Sequence, residues 1–178
     1  MVMGHAVCLG GPGRYLGGMT IDAPLSLHRA TILPEWIDYN GHMNVAFYVL
    51  VFDHATDELF DFVGLNEAYR QANNCSAFAL ETQVGYLREL HEGDAVRIET
   101  RMIDHDHRSM HFFHAMFVEE SGDLAATSEW INIHVDMATR RSSNFGPPVF
   151  DRLAEVLAAH KDLPRPPQVG RVIGIRRK

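Results

Sequence analysis

The chain has 178 residues, of which 46% are hydrophobic and 22% are charged, and its formal net charge is −7. This composition is typical of a single globular domain with its own core, and the negative charge argues against a general nucleic-acid binder. No stretch approaches the roughly 20 apolar residues of a membrane-spanning helix, and we expect no secretory signal. With Cys8 and Cys75 as the only cysteines, a disulfide framework is not expected. We therefore expect a cytoplasmic protein without nucleic-acid or membrane partners.

The periodic segments of the sequence fall between two irregular ends. Residues 1–24 are rich in glycine and lack periodicity, which predicts a flexible N-terminal arm. Residues 25–161 hold the predicted helices and strands and form the predicted domain. Residues 162–178 contain several prolines and arginines and are predicted to be a basic C-terminal tail.

The first half of the domain predicts a strand, a polar loop and one long helix. A strand is predicted at residues 27–33 and ends at Pro34. Asn44 is a good N-cap, and the following run is helical to about Val63. The apolar face of this helix is wider than a surface helix needs, so we expect a sheet to wrap around it. That face consists of Tyr48, Val51, Phe52, Ala55, Leu59, Phe60, Phe62 and Val63.

The second half of the domain predicts consecutive antiparallel strands. Residues 66–74 form a polar connection with at most one helical turn, after which the period changes to two. Strands are predicted at residues 76–80 and 83–90 (one strand, or two with a kink at Gly85), 95–103, 109–119 and 124–136. A short helix is predicted from Pro147 to about Lys161. Strands that follow one another around a single helix indicate an α+β fold, and the exposed edge of such a sheet is commonly covered by a second copy of the chain.

Four polar side chains alternate just before and at the start of the long helix: Asp38, Asn40, His42 and Asn44. A carboxylate in this place can orient water or attack a carbonyl group, an amide can bind an oxyanion, and a histidine can transfer protons. The first N–H groups of a helix also attract negative charge. The same residue types are favoured in turns and caps, so a purely structural role stays open.

This stretch, with the following Tyr48, resembles the loop-to-helix motif of hotdog-fold thioesterases of the 4-hydroxybenzoyl-CoA thioesterase-like superfamily. There, Asp-x-Asp or Asp-x-Asn leads into Gly/Gln-His-Val/Met-Asn. Further segments are similar to a betainyl-CoA thioesterase-like subgroup: Ala79-Leu80-Glu81-Thr82, Tyr86-Leu87-Arg88-Glu89 with Gly93-Asp94, Asp106-His107-Arg108 with His111-Phe112, and His134-Val135-Asp136 with Arg140-Arg141. The resemblance implies a hotdog fold, which is a curled antiparallel sheet wrapped around one long central helix. It also implies hydrolysis of a small acyl-CoA such as betainyl-CoA.

The Asp-x-Asn-x-His form also resembles plant acyl-carrier thioesterases, and this resemblance implies that Asp38, Asn40 and His42 are catalytic together with a later glutamate. Glu81 is the candidate, because it is the only acid in residues 75–86. Burial on a strand near the helix start would raise its pKa, whereas a position at the sheet rim would leave it in solvent. Many relatives have a second Asp where this chain has Asn40. Whether Asp38 or Glu81 acts as nucleophile or base therefore stays open.

The predicted substrate-binding residues are Trp36, Tyr39, Gly41, Asn44, Arg108, Arg140 and Arg141. An acidic protein needs a local basic cluster to bind the phosphates of CoA, and Arg140 with Arg141 is the favoured pair. Trp36 and Tyr39 flank the loop and would suit a quaternary ammonium group by cation–π attraction. Both rings could equally fasten the start of the helix to the sheet.

We therefore expect an acyl-CoA thioesterase that forms a homodimer or homotetramer, has active sites between subunits and uses no cofactor. No metal site is predicted, because His105, His107, His111 and His114 lack the spacing of zinc ligands and a cysteine pair. Two alternatives stay open. One is a hotdog enoyl-CoA hydratase, whose Asp-x-Asn-Pro-x-His motif differs from the motif here. The other is a non-enzymatic acyl-CoA-binding protein.

Overall fold

The computed structural model describes residues 14–16 and 19–175. The remaining residues of the predicted arm and tail, 1–13, 17, 18 and 176–178, lie outside the described residues. In chain order, the elements are β1 (Arg14–Leu16), β2 (Met19–Ile21), β3 (Leu25–Thr31), one turn of 3-10 helix (Pro34–Trp36), α1 (Val45–Phe62), α2 (Glu67–Asn73), β4 (Cys75–Tyr86), β5 (Ala95–His105), β6 (Ser109–Val118), β7 (Leu124–Asp136), β8 (Arg141–Ser142) and α3 (Pro147–His160).

The main sheet is antiparallel and has the strand order β3-β5-β6-β7-β4, with the short β8 paired to the end of β7. Side chains alternate along its strands, so that Val96, Ile98, Thr100 and Met102 of β5 are buried. This inner face packs against α1 and forms the core. The predicted α+β architecture, a curled antiparallel sheet around one long helix, is confirmed. Within the described part of the chain, no helix combines the length and apolarity needed to cross a membrane.

Helix α1 forms where the sequence predicts it and for the predicted reasons. The Asn44 side chain accepts a hydrogen bond from the Ala46 N–H at 3.0 Å, and Gly64 with a φ of +85° follows the last turn. The side chains of Val51, Phe52 and Leu59 have no exposed surface. Burial of each such side chain contributes about 1.5–3 kcal/mol to the free energy of unfolding. The helix is thus held mainly by its apolar face.

The polar connection differs from the prediction, and for the strand after it the single-strand alternative is the one observed. The polar connection contains the seven-residue helix α2, capped by the Asn66 side chain and ended by Asn74 in the left-handed conformation. Strand β4 is one strand, and its irregularity lies at Leu80 rather than at Gly85. The pairing with β7 skips one residue between Ala79 and Glu81, which is a β-bulge.

Parts of the predicted arm and tail pack against the domain. Ile21 is 1% exposed, and the His160 ring lies 3.0 Å from the carbonyl oxygen of Asp22. In the tail, the Gly170 N–H donates to a carboxylate oxygen of Glu129 at 2.7 Å. The flexibility of the arm and the domain boundaries stay predictions.

Candidate active site

The loop before α1 is a tight hairpin built around Asp38. The Asp38 N–H donates to the His42 carbonyl at 3.0 Å, and the Gly41 N–H donates to the Asp38 carbonyl at 2.9 Å. Oδ1 of Asp38 accepts from the Asn40 N–H at 2.7 Å. Asp in the first position and Gly in the fourth are favoured in type I turns, and Gly41 has a φ of +82°. The motif therefore has a structural role, but it uses only one carboxylate oxygen of Asp38.

Contacts on both sides fix this hairpin to the domain. The Trp36 ring stacks on the Phe47 ring of α1, with centroids 5.5 Å apart and planes 13° from parallel. The Asn44 N–H donates to the Trp36 carbonyl at 2.9 Å, and the Met43 N–H donates to the Leu90 carbonyl at 2.7 Å. Trp36 thus fastens the loop to the helix, whereas its predicted structural role was to fasten the start of the helix to the sheet.

The start of α1 provides a free backbone donor next to the hairpin. Asn44 satisfies two donors of the first turn, because its side chain accepts from Ala46 and its carbonyl accepts from Phe47. The N–H of Val45 has no acceptor within the residues that the structure describes. Such a donor at a helix N-terminus can stabilise negative charge that develops on a carbonyl oxygen.

A cavity of about 240 Å³ lies beside this donor. Two tyrosine rings, Tyr48 from α1 and Tyr86 from the end of β4, form a corner in it, with centroids 5.2 Å apart and planes at 82°. The hydroxyl of Tyr86 donates to the Val45 carbonyl at 3.4 Å. The lining consists of His42, Met43, Val45, Tyr48, Tyr86, Leu87, Arg88 and Glu89.

The charged groups of this cavity are unevenly paired. Nε2 of His42 lies 3.6 Å from Oε1 of Glu89, and the two side chains are 29% and 69% exposed. Arg88 is already engaged by the carboxylate of Asp123. Burial raises the pKa of Tyr48, and the nearby Glu89 carboxylate raises it further, so this phenol stays neutral and can donate a hydrogen bond.

The structure does not place Glu81 with the hairpin residues in one chain. Glu81 pairs with Ile131 after the bulge at Leu80 and is exposed on the outer face of the sheet. It lines a separate cavity with His111 and Glu129. The bulge shifts which residues of β4 face α1, so the strand does not direct Glu81 toward the helix start. This location corresponds to the rim alternative, and a catalytic role for Glu81 stays a prediction.

The predicted aromatic pair of Trp36 and Tyr39 is not formed, since Trp36 packs on Phe47 and the Tyr39 side chain is 96% exposed. The tyrosines that meet beside the hairpin are Tyr48 and Tyr86. Sequence reasoning missed Tyr86 and Glu89 as site residues because more than 35 positions separate them from His42. Only the end of β4 returning to the start of α1 brings them together.

The three predicted phosphate-binding arginines lie near the other end of β4. The Arg140 guanidinium is 5.2 Å from the Phe78 ring centroid, and Arg108 lies 3.4 Å from Oγ of Ser142, next to Arg141 on β8. Phe78 and Tyr86 are roughly 25 Å apart along the strand, at about 3.3 Å per residue. Within one chain, these arginines therefore do not reach the cavity beside His42.

The four histidines considered as metal ligands, His105, His107, His111 and His114, do not form a cluster, and their surroundings differ. His105 and His107 pack against Phe150, and His111 lies 2.8 Å from Glu129. His114 was predicted to lie on the strand surface, but this prediction is wrong, because its side chain has no exposed surface. Among residues 14–16 and 19–175, no group of three or more metal-ligating side chains is placed to hold a metal ion.

His114 is fully hydrogen-bonded in the core. Its Nε2 lies 3.0 Å from Oγ1 of Thr56, and its Nδ1 lies 2.9 Å from Oγ1 of Thr100. The Thr56 hydroxyl donates to the Phe52 carbonyl, so it accepts from Nε2–H, and Thr100 donates to Nδ1. Burial lowers the pKa of His114 to about 3. This histidine is a neutral structural group.

Comparison with known proteins defines the family. A family model described as the thioesterase-like superfamily matches residues 32–158. The chain belongs to this superfamily. It is 41% identical over 151 residues to a betainyl-CoA thioesterase from Pseudomonas aeruginosa. This match covers 85% of this chain and 95% of that protein. It is also 36% identical to an L-carnitine dehydrogenase/betainyl-CoA thioesterase from Agrobacterium fabrum, where the match covers 86% of this chain and 31% of that protein.

Solved structures of other proteins share the fold. A Staphylococcus aureus protein solved in complex with CoA superposes with a TM-score of 0.80 at 28% identity, covering 89% of this chain and all of that one. A putative thioesterase from Pseudomonas putida superposes with a TM-score of 0.76 at 33% identity, covering 86% and 98%. The predicted hotdog fold and the predicted reaction class, hydrolysis of an acyl-CoA thioester, are confirmed.

Proposed function

We propose that this thioesterase hydrolyses betainyl-CoA to betaine and CoA. The observation that carries the proposal is the cavity beside the start of α1, where the hairpin, a free helix N–H and two tyrosines meet. The similarity of the chain to a betainyl-CoA thioesterase, over nearly the whole of that protein, supports the choice of acyl group. A location in the cytoplasm, where CoA thioesters are metabolised, belongs to the same proposal.

In the proposed reaction, the thioester carbonyl oxygen lies at the N–H of Val45. Asp38 accepts a proton from a water molecule, whose oxygen bonds to the carbonyl carbon, and His42 and Asn40 orient the water and stabilise charge. The tetrahedral intermediate then collapses, the carbon–sulfur bond breaks, and the CoA thiolate leaves and takes up the proton from Asp38, which restores the Asp38 carboxylate. Gly41 permits the turn that holds Asp38 next to His42, and His42 lines the cavity.

The proposal includes a homodimer formed along β4. This strand ends the sheet, and Ala79, Leu80, Glu81 and Thr82 are exposed along it. A long unpaired edge strand is a template for pairing with another chain. If two β4 strands pair antiparallel about a two-fold axis, the Phe78 end of one strand lies beside the Tyr86 end of the other. Arg108, Arg140 and Arg141 then approach the partner's cavity, where they can bind the phosphates of CoA.

Thiol release from a panel of CoA esters tests the proposed function. The panel contains betainyl-CoA, acetyl-CoA, hydroxybutyryl-CoA, benzoyl-CoA and crotonyl-CoA. We expect the highest kcat/KM with betainyl-CoA. Faster release from another ester would assign a different acyl group. Loss of the crotonyl absorbance without thiol release would instead indicate a hydratase, and binding without turnover would indicate a sensor.

Analytical ultracentrifugation tests the dimer. Leu80→Asp places a charge on the exposed edge of β4, where the wild-type side chain is 61% exposed. We expect this variant to become monomeric and to lose turnover. Ala154→Asp places the same charge at an exposed position of α3, which packs on β5, and this control variant should stay dimeric. A monomeric wild-type protein would contradict the proposed assembly.

A further inference from the structure

We infer that Glu89 and Tyr86 form the recognition site for the positive charge of the acyl group. This inference rests on the proposed function and extends it, because it assigns substrate selectivity to two residues outside the hairpin motif. Betainyl-CoA holds its quaternary nitrogen one methylene group from the thioester carbonyl. A carbonyl oxygen at the N–H of Val45 therefore places the trimethylammonium group within a few ångströms, in the cavity that Glu89 and Tyr86 line.

The charges around this cavity favour a cation. Among the residues that the structure describes, Arg88 is the only permanently cationic one in the lining, and Asp123 already neutralises it. Glu89 has the His42 ring as its neighbour, at 3.6 Å, and its side chain is 69% exposed. A quaternary ammonium group has no N–H and cannot donate a hydrogen bond, so its binding depends on negative potential. A carboxylate without a close permanent cation provides that potential.

The tyrosine corner supplies the second part of the site. Tyr86 is 47% exposed, whereas Tyr48 behind it is 3% exposed, so the corner has an accessible wall and a rigid back. Rings held at right angles, together with a carboxylate, are suited to enclosing methylated ammonium groups. The hydroxyl of each tyrosine donates to a backbone carbonyl, Tyr48 to Arg88 and Tyr86 to Val45, which fixes the rings in place.

The test compares betainyl-CoA with 3,3-dimethylbutyryl-CoA, which has the same shape but carbon in place of the charged nitrogen. For the wild-type protein, we expect a higher kcat/KM with betainyl-CoA. Glu89→Gln should lower the betainyl-to-dimethylbutyryl ratio of kcat/KM about tenfold, because the charge attraction is lost. Any general effect of this variant on His42 alters both substrates and cancels in the ratio. Glu92→Gln removes an exposed charge outside the cavity and should leave the ratio unchanged.

A pair of substitutions at Tyr86 tests the aromatic wall. Tyr86→Leu should lower the ratio about three- to fivefold, whereas Tyr86→Phe keeps the ring and should keep the ratio. Thermal melting verifies that each variant is folded. An unchanged ratio in Glu89→Gln, or a wild-type protein that does not distinguish the two esters, would overturn the inference while leaving the thioesterase activity intact. Failure of the wild-type protein to hydrolyse either ester would instead overturn the proposed function, and the inference with it.

Discussion

His42 and His114 have the same side chain in opposite surroundings. His114 lies between α1 and the sheet, and both of its ring nitrogens are hydrogen-bonded to threonine hydroxyls. His42 lies in the hairpin at the start of α1, partly exposed, with a carboxylate nearby and a cavity beside it. A histidine whose nitrogens are both occupied by protein groups has no capacity left for a substrate. The comparison therefore separates a residue that stabilises the fold from one available for chemistry.

The largest effect on activity is expected for Asp38→Asn. The asparagine oxygen can still accept the hydrogen bond from the Asn40 N–H, so the hairpin is retained and the free energy of unfolding should change by less than about 0.5 kcal/mol. The loss of the base should lower kcat about 10²- to 10⁴-fold. Steady-state thiol release and urea unfolding measure the two quantities. A variant with near-normal turnover would show that another group activates the water.

Matched substitutions of the two histidines test the comparison directly. His114→Gln should lower the free energy of unfolding by about 2–4 kcal/mol, because a ring packed against Phe52 and Phe112 and one of its hydrogen bonds are lost. The folded fraction should retain its kcat. His42→Gln should lower kcat about 100-fold and leave the free energy of unfolding within about 0.5 kcal/mol. Equal effects of the two variants on stability would contradict the distinction.

The acid sensitivity of the fold tests the protonation state of His114. The unfolded chain binds a proton at this residue near its ordinary pKa of 6.5, whereas the folded protein does so only near pH 3. The stabilising contribution is therefore complete above about pH 6.5 and decreases by up to about 1.4 kcal/mol per pH unit as the pH falls toward 3. Urea unfolding between pH 7.5 and 4.5 measures this slope.

His114→Gln serves as the reference for this slope. Burial also lowers the pKa values of His28, His134 and His160, so the wild-type slope contains their contributions of the same sign. The difference between the two slopes isolates His114. We expect the variant to be less sensitive to acid, and parallel slopes would show that His114 can be protonated in the folded state.

The smallest expected effect concerns the turn that presents His42. Gly41→Ala places a Cβ at a φ of +82°, where no atom lies within 4 Å, so its cost is purely conformational and about 1 kcal/mol. Gly174→Ala has the same open space without a positive φ and is the control. Thermal or urea unfolding compares the two variants. If both have the same stability, the backbone conformation of the hairpin is not under the constraint described here.

The sequence was sufficient for the local elements and for the motif. Periodicity and the Asn44 cap located α1, and alternation with a period of two located the strands. The motif located the hairpin. Three features depended on contacts between distant segments. The bulge at Leu80 is set by pairing with β7, and the burial of His114 is set by packing on α1. Tyr86 and Glu89 come close to the hairpin only because β4 runs along the edge of the sheet back to the start of α1.

The single additional residue at Leu80 also has a consequence for how this strand can vary between relatives. Before it, Ala77 and Ala79 pair with buried residues of β7; after it, Thr82, Val84 and Tyr86 do. Deleting Leu80 would remove the bulge and restore regular alternation, and the residues after it would keep their partners on β7. Tyr86 would therefore still pair with Ala126 and stay beside Tyr48. Homologues that lack one residue at the bulge should thus retain the cavity where the hairpin motif is intact, and the length of this strand can vary by one residue without loss of the site.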